Sequence, residues 1–339
     1  MRWMRIIMPI LLLLCVVSCQ RRSFADHRSR VVIHLTINTD IVNHEVEELP
    51  RNMRVDLYDP QTGELRYTDY VGPTGGRIHP VPGTYDLIVY NIGMESTLIH
   101  NEDNYDDIEV YTNEVSSFIK SQLAQFLAKR QMAAKERAAR KSMSSDTKEP
   151  IISVDEPIVN QPDHIFVGWY ENLEVPVIFD DGVQEIHVEV AANTLVQTWE
   201  VEIQNVEGAQ WISKMVSLVS GQKGSVNIGP NIATDRVVSV YFDLSVETRE
   251  DGSKCLKGKF NTFGKQPGDD SELSLDLNIT DTGGNDFLHH FDVTDQFVNN
   301  EKQYILITDK LVIEEPKVDG GGFKPIVEEW NNIRTDIAL

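Results

Sequence analysis

The residue with the most definite chemistry in the chain is Cys19. Arg2 and Arg5 precede an apolar run from Ile6 to Val17, which has the length of a signal-peptide core and is too short to span a bilayer. The run ends Val16-Val17-Ser18-Cys19, where small Ser18 directly precedes a thiol. A lipoprotein signal peptidase cuts at such a site once a diacylglyceryl thioether has formed on the cysteine, and bulky Leu14 disqualifies Cys15 for the same reaction. Residues 1–18 are therefore expected to be a signal peptide and Cys19 a lipidation site, followed by a polar, Arg-rich tether over 19–30. Cys255 is left alone, so neither an intramolecular disulfide nor a cysteine metal cluster is expected.

Other reactive groupings are weaker. His289-His290 lies beside Asp286 and Asp292, but adjacent strand residues point to opposite faces and cannot grip one ion. Glu102-Asp103-Asn104-Tyr105-Asp106-Asp107 is rich in oxygen ligands, yet lacks the glycine and terminal glutamate of a calcium loop and reads as a solvated acidic turn. No nucleophile elbow, P-loop, zinc-protease helix or dinucleotide fingerprint occurs. The reading is not an enzyme, with no metal and no cofactor; a hydrolase would need two carboxylates about 5 to 10 Å apart in a cleft.

The elements around these residues are mostly strands. Val31, Ile33, Leu35 and Ile37 alternate with polar residues, as a half-buried strand demands. The same period recurs in Val55/Leu57, Tyr85/Leu87/Val89, Ile186/Val188/Val190, Trp199/Val201/Ile203, Val238 to Val246, Leu273 to Ile279 and Tyr304/Leu306. Turn signals such as Asp59-Pro60-Gln61-Thr62-Gly63 and Asp281-Thr282-Gly283-Gly284 separate them. Antiparallel sheets with one wet face follow.

One stretch breaks the pattern. Val115, Phe118, Ile119, Leu123, Phe126 and Leu127 take helical spacing, and the helix continues to about Lys141 with Lys or Arg at 120, 129, 130, 135, 137, 140 and 141 against the single acid Glu136. A solvated face, contact with membrane phosphates and contact with an acidic neighbouring subunit all fit this charge. Removing the leader takes the formal charge from -22 to -24, because Arg2 and Arg5 leave with it; nucleic acid is excluded as a partner.

Several stretches resemble the fimbrial anchor and accessory lipoproteins of Bacteroides-type bacteria. They are MRVDLYDPQTGELRYTDYV (Met53 to Val71), PGTYDLIVYNIG (Pro82 to Gly93), PDHIFVGWYENLEV (Pro162 to Val175) and VEIQNVEGAQWISKMVSLVSGQKGS (Val201 to Ser225). The C-terminal GGGFKPIVEEWNNIRTDI, Gly320 to Ile337, resembles one branch of that family. The basic helix departs from its pattern.

The resemblance implies an all-β chain of two tandem transthyretin-like β-sandwich domains with one inserted amphipathic basic helix. Its expected boundaries are a first sandwich over 31–113, helix and linker over 114–162, and a second sandwich over 163–339. It also implies a cell-surface, outer-membrane protein that anchors or accompanies fimbriae built by strand donation, with fimbrial subunits as partners and the membrane reached through lipid. Val31, Ile33, Leu35 and Ile37 then form a candidate exchangeable strand, Arg51 and Arg54 occupy the stretch where an arginine-specific protease cuts stalk subunits, and Ile326 to Ile337 is either a fixed last strand or a donor. The alternative is a glycan-binding surface lipoprotein of a polysaccharide-uptake system, with Trp169 and Tyr170 as sugar contacts and Trp199, Trp211 and Trp330 as further aromatic candidates.

Overall fold

The computed structural model describes residues 31–40, 50–141, 156–178, 182–266, 273–297, 300 and 302–316. The leader, Cys19, the tether, Trp330 and the candidate C-terminal strand lie outside the described residues. In chain order come β1 (Val31–Asp40), β2 (Met53–Tyr58), β3 (Leu65–Val71), β4 (Gly75–Ile78), β5 (Gly83–Asn91), β6 (Thr97–His100), β7 (Glu109–Thr112) and the helix α1 (Ser117–Lys141). Then follow β8 (Ile158–Val159), β9 (Phe166–Val175), β10 (Gln184–Thr194), β11 (Gln197–Ile203), β12 (Val206–Glu207), β13 (Ile212–Lys223), β14 (Ser225–Asn227) and β15 (Ile232–Ala233). The last described elements are β16 (Val237–Phe242), β17 (Ser245–Thr248), β18 (Lys254–Thr262), β19 (Ser274–Asp281), β20 (Asp286–Asp292), the short α2 (Thr294–Phe297), β21 (Tyr304–Ile307) and β22 (Leu311–Val312). The fold is all-β with one long helix.

Seven strands form the first sheet in the order β3-β2-β5-β9-β10-β1-β4. A Gly72–Gly75 bridge brings its two edges together, so the sheet curls around a core that includes Ile33, Leu35, Leu57, Leu87, Phe166 and Val188. β9 and β10, expected to open the second sandwich, belong to this sheet; membership changes between β10 and β11, not near 163. The linker expected to end at 162 therefore does not mark where the sheets part company.

Two sheets, β17-β18-β11-β21 and β20-β19-β13-β16-β8, face each other across a second core of Trp199, Val201, Phe242, Phe260, Leu275 and Leu277. A further sheet, β15-β14-β7-β6, joins strands from both halves. Its Val110 and Val226 press with Tyr58, Ile88, Tyr90 and Val167 against the outer side of the first sheet. That cover explains why Leu87-Ile88-Val89-Tyr90 is buried without alternation: β5 has no wet face.

Two expected strands come out differently. Val238 to Val246 is not one strand, because the chain leaves β16, passes Leu244 and enters β17 in the opposing sheet. In β21 the inward pair is Ile305 and Ile307, while Leu306 is exposed; the Tyr304 hydroxyl donates to Glu202 at 2.6 Å on the other face, and the phase shifts by one residue.

α1 starts where Ser116 Oγ accepts the Ile119 amide at 3.3 Å. Its Leu123 and Phe126 pack on Val216 and Leu218 of β13. One turn further, Arg130 is buried. Its Nε lies 2.7 Å from Asp276 Oδ2, off the line of a hydrogen bond, so the contact is Coulombic; its two terminal nitrogens both donate to Ser239 Oγ at 3.2 Å. Asp276 also takes His290 Nδ1 at 2.6 Å. Burial works to raise the Asp276 pKa, but the His290 bond and the Arg130 charge outweigh it and hold the carboxyl below its ordinary range.

Arg130→Met should therefore cost about 3 kcal/mol, because it strands a buried carboxylate. Adding Asp276→Leu should recover most of the loss in denaturant titrations. Since the folded Asp276 pKa is depressed, its contribution is complete above the ordinary value of about 3.9 and is lost as pH falls through the lower folded value; the acid arm of the stability curve should flatten in the double variant.

Candidate functional site

β1 begins with β-branched Val31, Val32 and Ile33, stiff side chains that favour extended backbone. Its inward row, Val31, Ile33, Leu35 and Ile37, is at most 3% exposed. Burying four aliphatic side chains contributes roughly 6 to 12 kcal/mol at the usual transfer values.

The strand is paired on both sides. On one it runs parallel to β10 in unbroken register from Val31↔Gln184 to Asp40↔Asn193. On the other it meets β4 antiparallel, from Ile33↔Ile78 to Thr36↔Gly75, and the Ile37 amide donates to the Thr74 carbonyl at 3.1 Å. On the outer face His34 and His187 stack across the parallel pair at 4.8 Å, and His34 Nε2 sits 3.6 Å from Glu185 Oε1. A cleft of about 650 Å³ opens where β1 enters, lined by Thr84, Glu174, Val177, Gln184 and Ile186.

Three strands separate β1 from β2, its successor in the chain, in the sheet order. β1 and β2, joined in the chain through residues 41–52, are thus not neighbours in the sheet. If the chain were cut between β1 and β2, β1 would be held only by its ladders and its apolar row.

The two arginines after β1 sit in different settings. Arg51 is exposed, just ahead of β2. Arg54 is inside β2, with β3 on one side and β5 on the other. Its Nε donates to Asp56 at 3.0 Å and its Nη1 to Glu102 at 2.6 Å. Asp56, fully buried, also accepts from Thr68 at 2.7 Å and Tyr90 at 2.8 Å. Burial, reinforced by Asp56 and opposed by Arg54, drives the Tyr90 hydroxyl far above its ordinary pKa. Arg54 therefore fastens the 102 loop to the sheet, and a protease, which needs an exposed extended segment, meets it only after β2 unfolds. The same bond gives Glu102 of the acidic loop a structural partner.

Trp169 turns inward, packing on the core beneath β7 and donating from Nε1 to the Ile228 carbonyl at 2.7 Å. Tyr170 points the other way and is 39% exposed. The two rings do not make a sugar platform. Trp199 is buried against Phe297. His289 and His290 take opposite faces, and among the described residues no group of three or more His, Cys, Asp or Glu could hold a metal ion. Of the basic helix residues, Lys120 pairs with Glu114, Lys129 with Asp286 at 3.4 Å and Arg130 with Asp276. Three of the cations read as a possible membrane face are thus engaged within the chain; the side chains of Lys135, Arg137, Arg140 and Lys141 lie outside the described set. Sequence reasoning missed β10 and β4 as the walls around β1, and no local signal marks a parallel partner so distant in the chain.

A family model described as Domain of unknown function (DUF5119) matches residues 18–243. A Bacteroides ovatus protein named as a fimbrium anchoring subunit, Fim4B, is 35% identical over 101 residues, 30% of this chain and 29% of that one. The chain thus spans less than a third of the curated relative it matches. The fold is shared with the crystal structure of a Bacteroides ovatus protein described as an adhesin, at a TM-score of 0.58 and 19% identity, covering 88% of this chain and 98% of the other.

Gly75 offers a way to loosen β1 without touching its apolar row. It has φ +106°, and a Cβ there would lie 1.9 Å from the Leu35 carbonyl oxygen. Gly75→Ala should therefore force β4 off β1. Hydrogen exchange of β1 amides should accelerate at least about tenfold while the amides of β19 stay unchanged, since they belong to another sheet.

Proposed function

The chain belongs to the DUF5119 family by the match over residues 18–243, and we propose that it serves as an anchoring or accessory subunit of a donor-strand fimbrium, held to the outer membrane by lipid on Cys19. The observation that carries this reading is β1: a strand with a four-residue apolar row, set in a slot between β10 and β4 and separated from β2, its successor in the chain, by three strands of the sheet. A slot of that kind is what sheet completion by a foreign segment requires, with main-chain bonds for affinity and alternate side chains for register. The named function of the Bacteroides ovatus relative supports the same reading.

On this view the two packed cores are a tandem pair of transthyretin-like sandwiches, with the division at the change of sheet membership after β10. An anchor keeps both its lipid and its β1, whereas a stalk-like subunit loses β1 by cleavage at Arg51, the exposed arginine just ahead of β2. The anchoring role named for the Bacteroides ovatus relative supports a non-enzymatic reading.

Epitope-tagged chain should fractionate with outer membranes and co-purify with fimbrial subunits from sheared envelopes. Cys19→Ser should release it from the membrane fraction, and Ile33→Asp with Leu35→Asp should abolish co-purification. Membrane retention of the Cys19→Ser protein would refute the lipid anchor. Recovery of wild type without any pilin-like partner, from cells bearing fimbriae, would refute the fimbrial role. Intact β1 on the mature surface protein identifies the anchor; a chain beginning at Asn52 identifies the cleaved form.

A further inference from the structure

The seam between β9 and β10 stands open. Their antiparallel pairing is confined to Asn193↔Val167 and Thr194↔Phe166. Just beyond it the strands still touch, since a Cβ on Gly168 would lie 2.4 Å from Val190 Cγ1. From there they part. β9 keeps β5 as its partner as far as Val175↔Gly83, β10 keeps β1 from Asp40 back to Val31, and among the described residues no ladder joins the two facing edges.

A bulge accounts for the opening. The register of β9 with β5 shifts between Tyr85 and Leu87, so that Glu171 and Asn172 stand opposite Asp86. Asn172 takes φ +54° and donates its amide to Asp86 Oδ1 at 2.9 Å. An extra residue of this kind bends a strand, and here the side-chain bond holds the bent stretch toward β5 and away from β10. The cleft of about 650 Å³ at the start of β1 is the mouth of the seam: Val175 and Val177 line it from one side, Gln184 and Ile186 from the other.

The seam has an apolar floor and an acidic rim. Tyr170 shares a face with buried Leu87, its register partner, yet is 39% exposed. Ile178 and Ile186 pack on the core while only partly buried. On the outer face Glu174, Glu185 and Glu189 are exposed, and His187, stacked on His34, is the basic group among them. Unpaired edges call for a main-chain partner. The floor then takes apolar side chains at alternate positions, and the rim takes cations at the positions between.

We propose that this seam is a second strand-acceptor site, filled by an extended segment of a partner protein whose residues alternate apolar and basic. About six residues, roughly 20 Å of strand, fit along Gln184 to Glu189 before Val190 closes over Gly168. The segment enters between β9 and β10 without displacing β1, so the site is independent of strand exchange at β1. Its acidic rim selects against another copy of this chain, whose charge is -22.

Hydrogen exchange of the full chain, with and without a peptide of alternating lysine and valine, tests this. In the free chain the β10 amides that do not face β1 should exchange rapidly. The peptide should slow them at least about tenfold and leave β1 amides unchanged. Glu174→Lys with Glu189→Lys should abolish that protection, whereas Glu207→Lys with Glu247→Lys, an equal change of charge elsewhere, should preserve it. Seam amides already protected in the free chain would overturn the proposal, because the chain itself then closes the seam. Equal protection in the two double variants would also overturn it, as general attraction of a cation to an acidic protein, and so would faster exchange in β1, which would put the peptide in the β1 slot.

Discussion

Four aliphatic side chains on one strand close the first half of this protein. Val31, Ile33, Leu35 and Ile37 fill the space between β10 and β4, and without them the curled sheet has two unpaired inner edges and an open core. Two further features of that half serve the slot: the Gly72–Gly75 bridge that turns the edges toward each other, and the glycine at 75 that lets β4 approach. Hydrophobic burial supplies the strength, and the parallel ladder supplies the register.

Buried arginine plays a complementary part in a strongly acidic chain. Arg54 gathers Asp56 and Glu102, and Arg130 gathers Asp276 while sharing Ser239. Each guanidinium neutralises a carboxylate that would otherwise be stranded inside, and each joins elements far apart in the chain: β2 to the 102 loop, and α1 to β19. Carboxylates left on the surface then keep like-charged copies apart.

The legibility of these parts follows from how local their causes are. The row of β1 could be read from alternation, and α1 from helical spacing. The parallel partner β10 could not, because nothing in Gln184 to Thr194 distinguishes a neighbour of β1 from a strand of the second sandwich. Burial of both faces of β5 depends on β7 and β14 arriving from elsewhere, and the cations of α1 read as solvated because their acids, Asp276 and Asp286, lie some 150 residues downstream. The shifted phase of β21 arose where Tyr304, Ile305, Leu306 and Ile307 offered apolar residues to either face.

The direction of β1 has a mechanical consequence. Because it runs parallel to β10 over its whole length, tension applied upstream of Val31 acts along the strand axis and loads all of its rungs together in shear, instead of peeling them one by one. Resistance to such a pull is a matter of rate, set by the barrier to forced unfolding. A subunit tethered at that end would hold under brief strong tugs, and the sheet shared by β6, β7, β14 and β15 would pass the strain from one half of the molecule to the other.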